Sequence, residues 1–168
     1  ENEIEEYVDS ICAEDSLLFP LYQIKMQVEN SKLNRGAIFY IHAINVALFS
    51  FGIARSPVFS AQELDSSDFL NIFLTGLLHN IACIRRTEEI LHKAHILRQK
   101  EYKATQQSSP SVLAAMHIAG DIVKTAEHIA SYYGGKMDVI EAADKPALYA
   151  NIVLTADAFC HHALGLFR

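Results

Sequence analysis

Glycine and proline are scarce in this sequence, with 7 glycines and 4 prolines among 168 residues. An average chain of this length carries about 20 of the two together. The scarcity disfavours β-sandwiches and barrels, which need many tight turns, and no tract alternates polar and apolar residues long enough to indicate a strand. Apolar residues recur at helical spacing along most of the chain. The sequence therefore predicts an all-α fold, a single-domain bundle of about seven to nine helices.

Positive charge is also in short supply, since Lys and Arg number 14 against 20 Asp and Glu and the net charge is −6. Phosphate-backbone binding needs concentrated positive charge, so nucleic acid is not expected as a partner. The cysteines number three, and no Cys-x-x-Cys pair occurs. This pattern is typical of reduced thiols in a cytoplasmic protein. No basic segment precedes an apolar one near the first residue, so no signal peptide is expected.

Two runs lack any Asp, Glu, Lys or Arg: Ala37–Ala54, with 18 residues, and Phe69–Ile84, with 16. A membrane-spanning helix needs about 20 predominantly apolar residues. Both runs also carry polar side chains well inside, among them His42 and Asn45 in the first and His79 in the second. Such groups are costly in lipid. We therefore expect two core helices and no membrane as a partner.

The first clear loop is the polar segment Asn30–Gly36. Residues 1–36 are predicted to form N-terminal helices that link the chain to an upstream domain. Residues 37–168 are predicted to form the main helical domain.

Capping signals predict helix boundaries in this second part. Ser66–Asp68 offer N-cap and first-turn side chains to a helix that includes Phe69. Pro110 suits the first turn of another helix, where its missing N–H is tolerated. One long helix is predicted over Leu113–Ser131, and the glycines of Gly134–Gly135 end the stretch that contains it.

Five polar side chains stand in stretches that are otherwise free of charge: His42, Asn45, His79, Asn80 and Asp157. Burying such a group without a hydrogen-bond partner costs several kcal/mol, so each is expected to have one. Imidazole nitrogen and carboxylate oxygen are common metal ligands, so His42, His79 and Asp157 are candidates for a metal site if their helices converge. The alternative is a metal-free hydrogen-bond network in which Asp157 orients a histidine.

These residues belong to a set of segments that follow one another in this order: Tyr40–Ala47, Thr75–Ala82, Glu88–Lys93, Glu101–Tyr102, Ser109–Pro110 and Val153–Phe159. The set resembles the HD superfamily of metal-dependent phosphohydrolases, and most closely its HD-GYP branch, whose members hydrolyse cyclic di-GMP in bacterial signalling. The resemblance runs from about Ile38 to Leu164. It implies an HD-like helical domain with a metal site at His42, His79 and Asp157.

The sequence also departs from that family's pattern. Asn80 stands where the family has the Asp of its His-Asp pair, and a neutral amide cannot bridge two ions as a carboxylate does. The other family positions with a different residue here are Cys83, Ser109, Tyr132, Tyr133 and Gly134. The resemblance thus leaves His42, His79 and Asp157, which are too few donors for a two-metal centre.

The expected function is that of a non-catalytic HD-GYP-like signalling or interaction module with an eroded metal site and no cofactor. Its partner would be another protein, a second copy of itself or a nucleotide in the vestigial pocket. One alternative is a surviving metal-dependent phosphohydrolase that acts on a cyclic dinucleotide or another phosphoester. There His42, His79 and Asp157 would hold one divalent ion (Fe, Mn, Zn or Ni), with Asn80 as a weak fourth ligand. Another alternative is a purely structural helical scaffold whose buried histidines pair with each other.

Two further groups lie close to the candidate site in the sequence. His161 follows Asp157 at the i, i+4 spacing that lets helical side chains meet, and we interpret it as a structural contact rather than a ligand. Tyr132 and Tyr133 are candidates to pack into the eroded site in place of the lost ligands.

Overall fold

The computed structural model describes residues 35–56, 64–82, 106–135 and 143–164. Every regular element in these ranges is a helix, which confirms the all-α prediction for this part of the chain. The predicted N-terminal helices, Cys83, and the segments Glu88–Lys93 and Glu101–Tyr102 lie outside the described residues. The described helices are α1 (Arg35–Ala54), α2 (Ser66–Leu78), α3 (Ser109–Ala115), α4 (Gly120–Tyr133) and α5 (Lys145–Leu164).

Helix α5 packs on α1, α2 and α4. Apolar side chains at helical spacing bury one of its faces against Val46 of α1 and Ile129 of α4. Leu148, Tyr149 and Ile152 pack with Ile72 of α2 in a second cluster. Because α5 packs against three helices, the buried side chains in its middle, among them Asp157, are held among elements from distant parts of the sequence.

Helices α1 and α2 approach closely at Gly76. A Cβ at this position would lie 2.7 Å from the Cα of Ala47, closer than real Cβ atoms come to backbone. Ala47, Phe51 and Phe73 form a buried cluster between the two helices. Because glycine has no side chain, Gly76 allows the end of α2 to pack close to α1.

The start of α2 is fixed by a capping box. The side chain of Asp65 accepts hydrogen bonds from the backbone N–H of Ser67 and of Asp68, at 2.8 and 3.0 Å. Asp68 in turn accepts from the backbone N–H of Asp65 at 2.8 Å. The N-cap is thus Asp65, one residue before the predicted group Ser66–Asp68, while Asp68 takes a first-turn position as predicted.

A buried charge joins the start of α2 to the start of α5. The carboxylate of Asp68, 2% exposed, accepts from Nζ of Lys145 at 2.9 and 2.7 Å. The hydroxyl of Tyr149 also donates to it. Burial acts to raise the pKa of Asp68, but the bonds from Lys145 and Tyr149 outweigh burial and lower it.

The prediction of one helix over Leu113–Ser131 is wrong, because the chain forms two helices there. His117 lies between them with φ of 56°, the left-handed conformation that ends a helix. The N–H of Ile118 closes the end of α3 by donating to Leu113 O at 3.3 Å. Apolar side chains from both helices pack into one cluster that includes Leu113 and Ile122, which explains why the apolar spacing looked continuous in sequence.

The first uncharged run falls on α1, and the described part of the second, residues 69–82, falls on α2 and the residues directly after it. Their polar side chains His42, Asn45, His79 and Asn80 are at most 1% exposed. None of the described helices combines the length and the apolar character that a bilayer crossing requires.

Candidate functional site

Four side chains meet at the carboxylate of Asp157, in the second half of α5. His42 reaches it from the middle of α1, His79 from the residue after α2, Tyr133 from the last residue of α4, and His161 from the next turn of α5. The structure thus brings together His42, His79 and Asp157, which the sequence singled out. We call these five residues the Asp157 cluster.

One carboxylate oxygen, Oδ1 of Asp157, lies beside three imidazole nitrogens. It is 2.9 Å from Nε2 of His42, 3.3 Å from Nε2 of His161 and 3.5 Å from Nε2 of His79. The ring centre of His42 is 5.4 Å from that of His79 and 4.9 Å from that of His161. Three imidazoles therefore surround one oxygen.

The other oxygen, Oδ2, accepts a hydrogen bond from the hydroxyl of Tyr133. Tyr133 is half-buried, whereas the neighbouring Tyr132 is 41% exposed. Of the two tyrosines proposed to fill the site, Tyr133 reaches the carboxylate, and Tyr132 packs its ring against that of Tyr133.

The orientation of His79 is set by the backbone of α2. Its Nδ1 lies 2.6 Å from Gly76 O, so Nδ1 carries the hydrogen and donates to the carbonyl. In the neutral ring the lone pair is then on Nε2, the atom that faces Asp157. Metal-binding histidines commonly have this arrangement, in which the far nitrogen donates to a backbone carbonyl.

Asn80 and Gln106 extend the cluster on the side of His79. Asn80 Nδ2 lies 2.6 Å from His79 Nε2, and Asn80 Oδ1 accepts a hydrogen bond from Gln106 Nε2. Both amides are 1% exposed. Two consecutive hydrogen bonds therefore link the amide of Gln106, through the amide of Asn80, to Nε2 of His79.

Burial and the contacts between Asp157 and the histidines set the charge states of His42 and Asp157. Burial lowers the pKa of His42 to about 4, although the contact with Asp157 acts in the opposite direction, so this imidazole is neutral near pH 7. Burial acts to raise the pKa of Asp157, but its contacts with His161, His42 and His79 outweigh burial and hold it well below the usual range. The cluster thus pairs a carboxylate with a neutral His42.

Several other residues were named from the sequence as positions where the family has a different residue or as buried polar groups. Asn45 is buried in α1, and its amide oxygen accepts no hydrogen bond from the described residues. Ser109 is buried at the start of α3, and Gly134 is the C-cap of α4. Cys83 lies outside the described residues.

The donor set suits one metal ion better than two. Ligand atoms of His42, His79 and Asp157 lie within 4.8 Å of one another, as a single ion requires. Among the described residues Asp157 brings the cluster its one carboxylate, and Oδ2 of that group is already hydrogen-bonded to Tyr133. A pair of ions about 3.5–4 Å apart needs bridging oxygen ligands, which this arrangement does not offer.

Two further residues of the site differ in how far the sequence pointed to them: the contact between His161 and Asp157 was predicted and is confirmed, whereas Gln106 was not predicted. His161 had a visible signal, the i, i+4 spacing from Asp157, and its Nε2 now lies as close to Oδ1 as that of His79 does. Gln106 had no signal of its own, because it opens a polar segment that looks like a loop.

The chain was compared with protein-family models, with curated proteins and with solved structures, and none of the three comparisons gave a match.

Proposed function

We propose that this chain is a non-catalytic signalling or interaction module with an HD-GYP-like fold, in which the dinuclear hydrolytic centre has been replaced by the Asp157 cluster. The proposal rests on one observation: the atoms that a second ion would need already serve as hydrogen-bond partners within the protein. Oδ2 of Asp157 accepts from Tyr133, and Asn80, in place of a second carboxylate, bonds to His79 and Gln106.

Access to the cluster supports the same proposal. His42, His79 and Asp157 are each at most 1% exposed, so a phosphodiester has no path to Oδ1 of Asp157 in this conformation. A hydrolase needs its attacking water and its substrate at the metal, in an open coordination position. We therefore favour a protein as the partner of this module over a nucleotide held at Asp157.

Turnover measurements test the absence of catalysis. The purified chain is incubated with Mn²⁺ or with Fe²⁺ under anaerobic conditions, and hydrolysis of bis(p-nitrophenyl) phosphate and of cyclic di-GMP is followed. We expect no hydrolysis above that of an Asp157→Ala variant. Hydrolysis by the native chain that the Asp157→Ala variant lacks would show a surviving hydrolase instead.

Calorimetric titration with cyclic di-GMP tests the choice of partner. We expect no saturable heat, because the cluster is closed. Saturable binding that Asp157→Ala abolishes would make a nucleotide the ligand. The remaining alternative, a purely structural scaffold whose buried histidines pair with each other, predicts that replacing His42 and His79 together with leucine is tolerated, because replacing both members of a buried polar pair with apolar groups can be nearly neutral.

A further inference from the structure

We infer that the chain forms a symmetric dimer, in which a second copy covers an apolar patch on the outer side of α1 and α2. The inference rests on the proposed function, because it names a second copy as the protein partner of the module. The residues of this patch, which we call the α1–α2 patch, are Tyr40, Ile44 and Leu48 of α1 and Leu70 and Leu77 of α2.

The two most exposed members of the patch are large apolar side chains one helical turn apart. Tyr40 is 51% exposed and Ile44 is 42% exposed, and residues four apart on a helix share a face. Leu48 follows at the next turn and is half-buried. Exposed apolar side chains are ordinary when they are scattered singly, whereas a contiguous group of them is typical of an interaction surface.

Leucines of α2 continue the patch beside α1. Leu70 and Leu77 are half-buried, and together with Leu48 they pack against the buried cluster between the two helices. Because α1 and α2 approach closely at Gly76, these side chains form one surface. The patch therefore spans two helices rather than one.

The patch carries no charge, although the net charge of the chain is −6. All five of its residues lie in the two runs of the sequence without Asp, Glu, Lys or Arg. Exposed acids such as Asp121 and Glu127 lie on another helix, α4. Two copies of the chain repel each other where acidic surfaces meet, so the uncharged patch is a surface at which they approach without this cost.

The same property favours a second copy over a different protein. In a dimer with two-fold symmetry a surface meets itself, so it must be complementary to itself. An uncharged apolar surface meets this condition, whereas a surface with charge of one sign would oppose its own copy. A positively charged partner would be attracted to the acids of α4 instead. Interface cores are also depleted in charged residues and enriched in tyrosine, as this patch is.

Sedimentation velocity of the full chain measures the association, at about 1 and about 100 µM chain, which spans two decades in dissociation constant. We expect a monomer–dimer equilibrium. Raising NaCl from about 0.1 M to about 1 M shortens the Debye length from about 10 Å to about 3 Å and screens the repulsion between two acidic copies. The dimer should therefore be tighter at high salt. Weaker association at high salt would indicate an interface of ion pairs and overturn the inference.

A charge placed in the patch tests where the interface lies. Ile44→Glu puts one acid on each copy of the patch and should weaken association at least about tenfold, because like charges that face each other are costly. Met116→Glu is the matched control: Met116 is 50% exposed at the C-cap of α3, outside the patch, and its change should leave the dissociation constant nearly unchanged. Thermal unfolding of each variant checks its folding.

A mixing experiment tests whether the patch meets itself. Ile44→Lys alone should weaken association as Ile44→Glu does. An equimolar mixture of the two variants brings opposite charges together across the symmetry axis, so the mixture should associate more tightly than either variant alone. A mixture that associates no better would mean that Ile44 faces a different surface of the second copy, which contradicts the symmetric contact.

The outcomes separate this inference from the proposed function. A native chain that stays monomeric at about 100 µM overturns the inference and leaves the non-catalytic role standing. If Ile44→Glu then unfolds at a lower temperature than Met116→Glu, another segment of the same chain covers the patch; if the two unfold alike, the patch belongs to a different protein. A dimer that both substitutions weaken equally overturns the inference as well. A dimer that Ile44→Glu weakens but that hydrolyses phosphodiesters would support the second copy and refute the non-catalytic role.

Discussion

Tyr133 donates its hydroxyl hydrogen bond to Oδ2 of Asp157, while the histidines gather at Oδ1. The two oxygens of this carboxylate therefore contact different groups. Oδ2 fixes the end of α4 against α5, and Oδ1 faces the three imidazoles. A carboxylate divided in this way can serve one ion through Oδ1 without giving up its bond to Tyr133.

The Tyr133 bond can be tested with a change of one atom. Tyr133→Phe should lower the free energy of unfolding by about 1.5–3 kcal/mol, because hydrogen bonds to charged groups contribute about that much. Tyr132→Phe is the matched control: its ring is 41% exposed, and its change should stay within about 0.5 kcal/mol. Urea unfolding followed by circular dichroism measures both. Equal effects of the two substitutions would mean that the bond to Asp157 contributes nothing.

Removing the charge of Asp157 should lower the free energy of unfolding far more than removing that of Asp144, an acid at the start of the same helix. Asp157→Asn keeps the shape but weakens the contacts with His42, His161 and Tyr133, so we expect a loss of about 2 kcal/mol or more in unfolding free energy. Asp144→Asn is the control, because Asp144 accepts from Ala147 N at 2.8 Å at the start of α5, and Asn caps helices as well as Asp does. Comparable losses in both variants would contradict the special role of Asp157.

Two glycines on packed helices should respond in opposite ways to alanine. At Gly76 a methyl group meets the backbone of Ala47 at 2.7 Å, so Gly76→Ala should destabilise by about 1–3 kcal/mol through overpacking. At Gly52 in α1 nothing lies within 4 Å of the added Cβ. Gly52→Ala should therefore stabilise by about 0.5–1 kcal/mol through helix propensity. Chemical unfolding of the two variants checks the signs, and a stable Gly76→Ala would refute the close contact between α1 and α2.

The free energy of unfolding at acidic pH should depend on the hydrogen bonds that Asp68 accepts from Lys145 and Tyr149. The pKa of Asp68 is lowered in the folded chain, so its contribution is fully present above the ordinary carboxyl pKa of about 3.9 and disappears as pH falls through the lowered value. Asp68→Asn should thus be less stable than the native chain at pH 7, with a difference that shrinks below about pH 4. Unfolding at a series of pH values measures this difference, and one that stays constant with pH would show that Lys145 and Tyr149 do not stabilise the charge.

Much of the fold and part of the site follow from local rules. Helical spacing and few turn residues predicted the all-α class, and Pro110 lies in the first turn of α3 as its missing N–H suggests. Polar groups inside uncharged helices pointed to His42, His79 and Asp157, because a buried polar group needs a partner. These arguments use only the residue and its near neighbours in sequence.

The other features of the fold and the site depend on packing between distant segments, which the spacing of residues in the sequence does not reveal. The break between α3 and α4 requires a left-handed His117, a conformation that more often falls to glycine. Gln106 reaches Asn80 across 26 residues, and Tyr133 reaches Asp157 across 24. Neither pairing leaves a periodic trace in the sequence, since each depends on how segments far apart in the chain pack against one another.

The Asp157 cluster has a consequence for the order of events in folding. His42 comes from the first described helix and Asp157 from the last, so their contact closes a long loop of chain. The entropy cost of that closure must be met before the contact contributes anything. The cluster should therefore form after the transition state, and substitutions within it should speed unfolding while leaving the refolding rate nearly constant.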